Sequence, residues 1–342
     1  MRTGRAVAVA CAALAVAMLI GVSVGPAGLT LGQVAAALLV KLPWLPHLAV
    51  PPVAVIIVWQ VRLPRVILGA LVGAMLAGSG AAYQGVFHNP LADPYLLGVA
   101  AGGGLGATMI IVTGASATLL PPAAFAGAVV AVTLTYLLGS GTGRDANRTG
   151  GSAGAIVLAG VAVGTLLTAV QTYIQQEHSQ SLQQIYSWIL GGLSLASWSD
   201  VVLILPYAAV AAAVLIAHRR LLDVLRIGET EAASLGVDVT RLRLTIVAAA
   251  TLAAAAAVAV AGLIGFVGLI VPHTVRLTAG ASYRVVMPVS MIGGAAFLVL
   301  ADVVARTVQA PAEVPIGVIT AAIGAPFFLF VLRSRRAQQD LA

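Results

Sequence analysis

The chain has 342 residues, 60% of them hydrophobic and 8% charged, whereas soluble domains carry about 25% charged residues, which excludes a water-soluble fold. Its net charge of +7 comes from basic residues dispersed along the whole length, with no single stripe that would hold a nucleic acid. The lone cysteine, Cys11, cannot make an intrachain disulfide, and no Cys/His spacing resembles a zinc site, so no metal and no cofactor are expected in this chain.

Stretches of about 20 apolar residues recur throughout, each long enough to cross a hydrocarbon core of roughly 30 Å. Backbone groups inside a bilayer must be satisfied internally, which leaves helices or a closed barrel. Barrel strands alternate polar and apolar residues, and runs such as 244–261 do not. The expectation is an all-α, polytopic membrane bundle forming a single domain over residues 1–342.

In chain order, the first apolar run, 6–24, follows Arg2 and Arg5 and has the outline of a signal peptide. It is longer than a signal core of roughly 7 to 15 residues, so a retained helix is the better reading. Further spans follow near 64–85, 95–113, 119–138, 152–173, 199–217, 242–263, 266–277, 284–306 and 315–332, about ten in all. The eighth is too short to cross fully, which is tolerated where protein surrounds it or a pathway is lined.

With the N-terminus in the cytoplasm, 14 of the 18 basic residues fall inside, leaving Lys41, Arg62, Arg65 and Arg306 outside. This is the bias of the positive-inside rule, and it puts both termini in the cytoplasm. Trp44, Trp59, Trp188 and Trp198 then lie in outer segments, where indole rings favour the interface.

Lys41 is the sole lysine and stands in Leu-Leu-Val-Lys-Leu-Pro, so the chain has no G-x-x-x-x-G-K-[ST] phosphate loop. The proposed helix centres also lack the carboxylate that an ion-coupled carrier places at mid-membrane. Asp200 and Asp302 lie near outer ends, and Asp302 and Arg306, four residues apart, share a helical face on which they can pair. An energy source on a separate polypeptide is the economical inference, with an ion-coupled secondary transporter as the alternative.

Such a partner needs a handle, and the inside segment 218–243 offers one. It reads as two short helices: 219–227 stopping at Gly228, then a turn capped by Thr230 that holds Ala232 and Leu235 and ends at Gly236. Leu225, Ile227 and Leu235 among Arg220, Arg226, Glu229 and Glu231 would form a knob for a soluble ATPase. A plain solvated loop is the other reading.

Three separated segments resemble the permease subunits of type II ABC importers, the FecCD-like family that takes up iron-siderophore complexes, haem and cobalamin. The first is Val61-Arg62-Leu63-Pro64-Arg65, followed by Phe87-His88-Asn89-Pro90-Leu91-Ala92-Asp93-Pro94 and Leu97-Gly98-Val99. The second is Gly228-Glu229 with Ala232 and Leu235-Gly236-Val237. The third runs from Gly265-Phe266-Val267-Gly268-Leu269-Ile270-Val271-Pro272-His273 through Ala301-Asp302-Val303-Val304-Ala305-Arg306 to Glu313-Val314-Pro315-Ile316-Gly317-Val318.

The resemblance implies ten helices per subunit, a homodimeric pore, two cytoplasmic ATP-binding subunits that hold ATP and Mg, and an external substrate-binding protein. By the same resemblance, Arg62, Arg65 and Arg306 are outward-facing arginines that meet acids of the binding protein. Asn89 and Leu91 match part of a cytoplasmic gate, together with Ser152, Ala153 and Gly154 at the start of the fifth helix. Relatives can carry a Ser/Thr pair where Ala153 and Gly154 stand, which puts a hydroxyl-lined gate in doubt. Iron-siderophore is the expected substrate, with cobalamin and haem next.

Overall fold

The computed structural model describes residues 3–41, 50–140 and 153–339. Among them there is no strand. Helix α1 (Thr3–Ser23) is followed by α2 (Leu31–Leu39), a short amphipathic helix. Thr30 opens α2 with a reciprocal cap: its hydroxyl accepts from Gln33 N at 3.3 Å, and Gln33 Oε1 accepts from Thr30 N at 3.0 Å.

Helix α3 (Pro52–Ile56) passes through one π-helical stretch, Ile57–Arg62, into α4 (Leu63–Val86), making one continuous 35-residue helix. The sequence reading begins this span at residue 64, at the charge and proline cluster Arg62-Leu63-Pro64-Arg65. Pro64 has no N–H to return to Gln60, and the widened turn just before it lets the helix continue past that gap.

The chain continues through α5 (Val99–Thr113), α6 (Leu120–Ser140), α7 (Ala153–Glu177), the short α8 (Leu182–Ile189) and α9 (Trp198–Leu225). A small helix, α10 (Glu229–Ser234), precedes α11 (Val239–Ala261), α12 (Val267–Ala279), α13 (Tyr283–Thr307) and α14 (Ile316–Gln339). Seven helices among the described residues are long and apolar enough to cross a membrane, and α5 and part of α14 add two shorter apolar helices. Helix α12, at 13 residues, is the short element expected near 266–277.

Helices α4, α11 and α13 form the centre. Lipid tails are as apolar as leucine, so helices in a bilayer associate through close packing and internal hydrogen bonds. Small residues provide the first. A Cβ added at Gly73 would lie 2.2 Å from the Gly294 carbonyl oxygen on α13, and one at Gly80 would lie 2.1 Å from that of Gly268 on α12. Buried polar side chains provide the second: Ser79 donates to Ala250 O at 2.8 Å, Gln84 donates to Gly268 O at 2.9 Å, and the Tyr83 and Thr251 hydroxyls meet at 2.7 Å.

Candidate functional site: an open groove, a stitched turn and a knob

Helix α7 is buried along one narrow stripe, at Ile156, Gly160, Val163, Gln171 and Gln175, spaced as one helical face. Gly160 lets it approach the turn after α4, since a Cβ there would be 2.2 Å from Leu96 O. Beyond the stripe, a groove of about 840 Å³ opens between α7 and the start of α5, walled by Tyr95, Gly98, Gly164, Thr165, Thr168 and Thr172 among others. The hydroxyls of Thr165 and Thr172 donate to their own helix at Val161 O (2.7 Å) and Thr168 O (2.9 Å). Their donors are thereby used within α7.

The turn that begins the groove is built from the Phe87–Pro94 motif. His88 has φ +50°, and its ring Nε2 lies 2.8 Å from Leu225 O. Asn89 Oδ1 accepts from Leu91 N at 2.9 Å, an Asx turn, and Asp93 Oδ1 accepts from Tyr95 N at 2.8 Å to cap the 3-10 turn Pro94–Leu97. Tyr95 OH donates to Ile264 O at 3.0 Å and accepts from Ile264 N at 2.9 Å, stitching this turn to the one between α11 and α12. Burial pushes the Asp93 carboxyl up from its ordinary 3.8 to about 6, partly offset by the bond from Tyr95 N.

Of the expected gate residues, Asn89 is half-buried, Leu91 is exposed, Ala153 begins α7 and Gly154 is exposed. Ser152 lies outside the described residues.

At the opposite end of α9 from Trp198, the coupling segment differs from its sequence reading in two ways. Residues 219–225 are the last turns of α9 and not a separate stub, because His-Arg-Arg-Leu-Leu-Asp-Val-Leu contains no breaker and Leu222 and Leu225 bury fully. The N-cap of α10 is Gly228, not Thr230. At φ +144° the backbone of Gly228 suits glycine, and a Cβ would meet Glu231 Oε2 at 1.9 Å.

The knob exists in that altered form. Ala232 is buried at its base, Gly236 ends it at φ +84°, and Ile227 and Leu235 stand about two thirds exposed, at 66% and 67%. Glu229 pairs with Arg243, Arg226 donates to Ala281 O at 2.8 Å, and Arg220 faces outward.

The three arginines expected to face a binding protein are a correction. Arg62, Arg65 and Arg306 are 3%, 6% and 3% exposed. Arg65 holds two carboxylates, reaching Asp302 Oδ1 through Nη2 at 2.8 Å and Glu313 Oε1 through Nη1 at 2.7 Å. Arg62 Nη1 donates to Val22 O and Ser23 O, both at 2.8 Å, and Arg306 Nη2 donates to Gly21 O at 2.7 Å. Arg62 and Arg306 therefore satisfy the last carbonyls of α1, which its own helix leaves without donors. Arg306 also sits 3.5 Å from Asp302, the i,i+4 pair seen in the sequence. Sequence reasoning missed the α1 carbonyls because nothing in the residue pattern says which helix end meets which arginine.

Comparison with known proteins agrees with this architecture. Residues 13–334 match the model of the FecCD transport family. The "Cobalamin import system permease protein BtuC" of Halobacterium salinarum is 41% identical, over 98% of this chain and 98% of that protein. The "Hemin transport system permease protein HmuU" of Yersinia pestis is 38% identical, over 83% of this chain and 85% of that one. A solved structure described as a metal-chelate type ABC transporter in an inward-facing conformation superposes with a TM-score of 0.84 at 28% identity, over 97% of this chain and 99% of its own. The chain therefore belongs to the FecCD transport family, as a multi-pass ABC-transporter permease of the inner membrane.

Proposed function

We propose that the chain is one of two identical copies lining the pathway of an ATP-driven importer for a metal chelate. The observation that carries this is the groove on α7. Beside Leu96, Val161 and Tyr173 its wall carries small and polar residues, Gly98, Gly160 and Gly164 with Thr165 and Thr172, whose hydroxyls are turned into their own helix. Such a wall offers a bulky chelate passage without strong binding. A second copy laid across it would close the groove into a conduit.

Power comes from elsewhere. Two soluble subunits that hold ATP and Mg seat Ile227 and Leu235 in their clefts, and their movement rocks the bundle between outward and inward openings. An external binding protein delivers the substrate. With Arg62, Arg65 and Arg306 buried in the chain, docking on them would need their cluster to open. Among chelates, the full-length similarity to a cobalamin permease favours cobalamin over the iron-siderophore expected from family breadth.

The test is uptake of labelled cobalamin by proteoliposomes holding the permease, its ATPase and the binding protein. Leu235→Asp should lower ATP-dependent uptake by about tenfold or more, the scale of losing an apolar anchor at an interface centre, while the ATPase still hydrolyses ATP. Unchanged uptake would remove the knob from the mechanism. Uptake by the permease alone, driven by an ion gradient, would replace the importer with a secondary transporter.

A further inference from the structure

We propose that a cavity at the α10 end of the bundle binds a phosphate-class anion, carried on an anionic lipid head group or free in solution. The cavity is about 240 Å³ and lies where α4, α9 and α12 end. Gln84, His88, Arg226, Arg276 and Tyr283 line it, and no carboxylate is among the lining residues. Two of these polar side chains, Gln84 and Tyr283, belong to residues only 3% exposed, so the site reaches into the bundle and is not a surface patch.

The charge inside it is positive and under-compensated. Arg276 donates to two neutral acceptors, Gln84 Oε1 and, at 3.1 Å, the Tyr283 hydroxyl. Arg226 donates to the Ala281 carbonyl. The nearest acid, Asp223, is one carboxylate shared between two guanidiniums, and its oxygens also accept from the Ser282 hydroxyl at 2.7 Å (Oδ2) and from Tyr283 N at 2.6 Å (Oδ1). It stands 3.8 Å from Arg226 and 3.9 Å from Arg284 and faces the turn between α12 and α13.

Both cavity arginines lie at helix C-termini, whose carbonyls offset roughly half a charge each. The three guanidiniums of Arg226, Arg276 and Arg284, against Asp223 and two such ends, leave about one positive charge unanswered.

A guanidinium presents a planar fork of donors that matches phosphate oxygens, and basic pockets between membrane helices hold anionic head groups. Arg226, Arg276 and Tyr283 border the same cavity. An anion there ties the last turn of α12 to the residue that ends α9, directly before the Gly228 turn and α10. It would steady the base of the knob. The site stands independently of which substrate the chain moves, and its test reads binding, not transport.

The experiment uses the intact purified chain in two arms. In detergent, thermal unfolding is followed with inorganic phosphate against chloride at matched ionic strength. In nanodiscs of phosphatidylglycerol or phosphatidylcholine, native mass spectrometry counts the lipids retained on release. Wild type should be stabilised by phosphate or should retain phosphatidylglycerol selectively. A phosphate response assigns the free anion, and a response to phosphatidylglycerol alone assigns the head group.

Arg276→Gln should raise the concentration needed for half the effect by about tenfold, the scale of a charged hydrogen bond. Arg241→Gln, the same loss of charge on an 88% exposed side chain outside the cavity, should bind as wild type. Pro90→Glu at the rim supplies a carboxylate from within, so it should abolish the response while raising stability without added anion. No response in wild type, or equal responses in wild type and Arg276→Gln, overturns the proposal. Should Arg276→Gln fail to fold, an undiminished response in Pro90→Glu overturns it.

Discussion

Arg65 shows what the buried charges at the Trp198 end accomplish. Its fork spans Asp302 on α13 and Glu313 in the following loop, so one side chain joins three parts of the chain. Removing one member of a buried pair costs about 3–5 kcal/mol when the other is left unanswered, and this is the ceiling here because Asp302 keeps Arg306 at 3.5 Å and Glu313 is partly exposed. Arg65→Gln should therefore lower thermal stability strongly, and adding Asp302→Asn should restore part of the loss, measured as a double-mutant cycle. Asp93 makes the opposite case, a carboxyl that burial holds up at about 6. Between 3.8 and about 6 the folded chain keeps a proton that the unfolded chain has released. Stability from this group is thus full below that window and declines as pH rises through it. Asp93→Asn retains a capping oxygen, so the unfolding temperature measured across the window should lose this slope.

At the scale of elements, small residues set how closely helices approach. The added Cβ atoms at Gly73 and Gly80 would strike backbone oxygens, which cannot rotate aside as a side chain can. Gly73→Ala and Gly80→Ala should each cost about 1–3 kcal/mol or more, as overpacking does, read by thermal unfolding in detergent. Gly4→Ala, with nothing within 4 Å of the new Cβ, should be close to neutral. The same scale explains the differences from the sequence reading. The spacing predicts a span starting at Pro64 and a short helix 219–227 separate from the span before it, while Gly228 stays a boundary in both readings. A π-helical turn carries the helix through Pro64, and α9 runs on through 219–225 because its buried leucines keep the period.

At the scale of the whole molecule, the hydrophobic runs made the bundle legible, since a chain with so few charges has only the bilayer to fold in and each span must satisfy its own backbone. The missing phosphate-loop lysine and the small knob near residues 228–236 were equally visible, because both are local patterns of residue type. Ends of helices were less so. Whether Arg62 and Arg306 face a partner or the carbonyls of α1 depends on residues some 40 and 285 positions away, and no local pattern carries that distance. The groove on α7 and the basic cavity beside Arg276 were not legible at all. Each is bounded by helices far apart in the chain, and empty space has no residue of its own. Composition and spacing decide which segments enter the membrane and where they turn. Packing alone decides which charges are answered inside the chain and which are left for a ligand, because a charge's partner is chosen by distance in space.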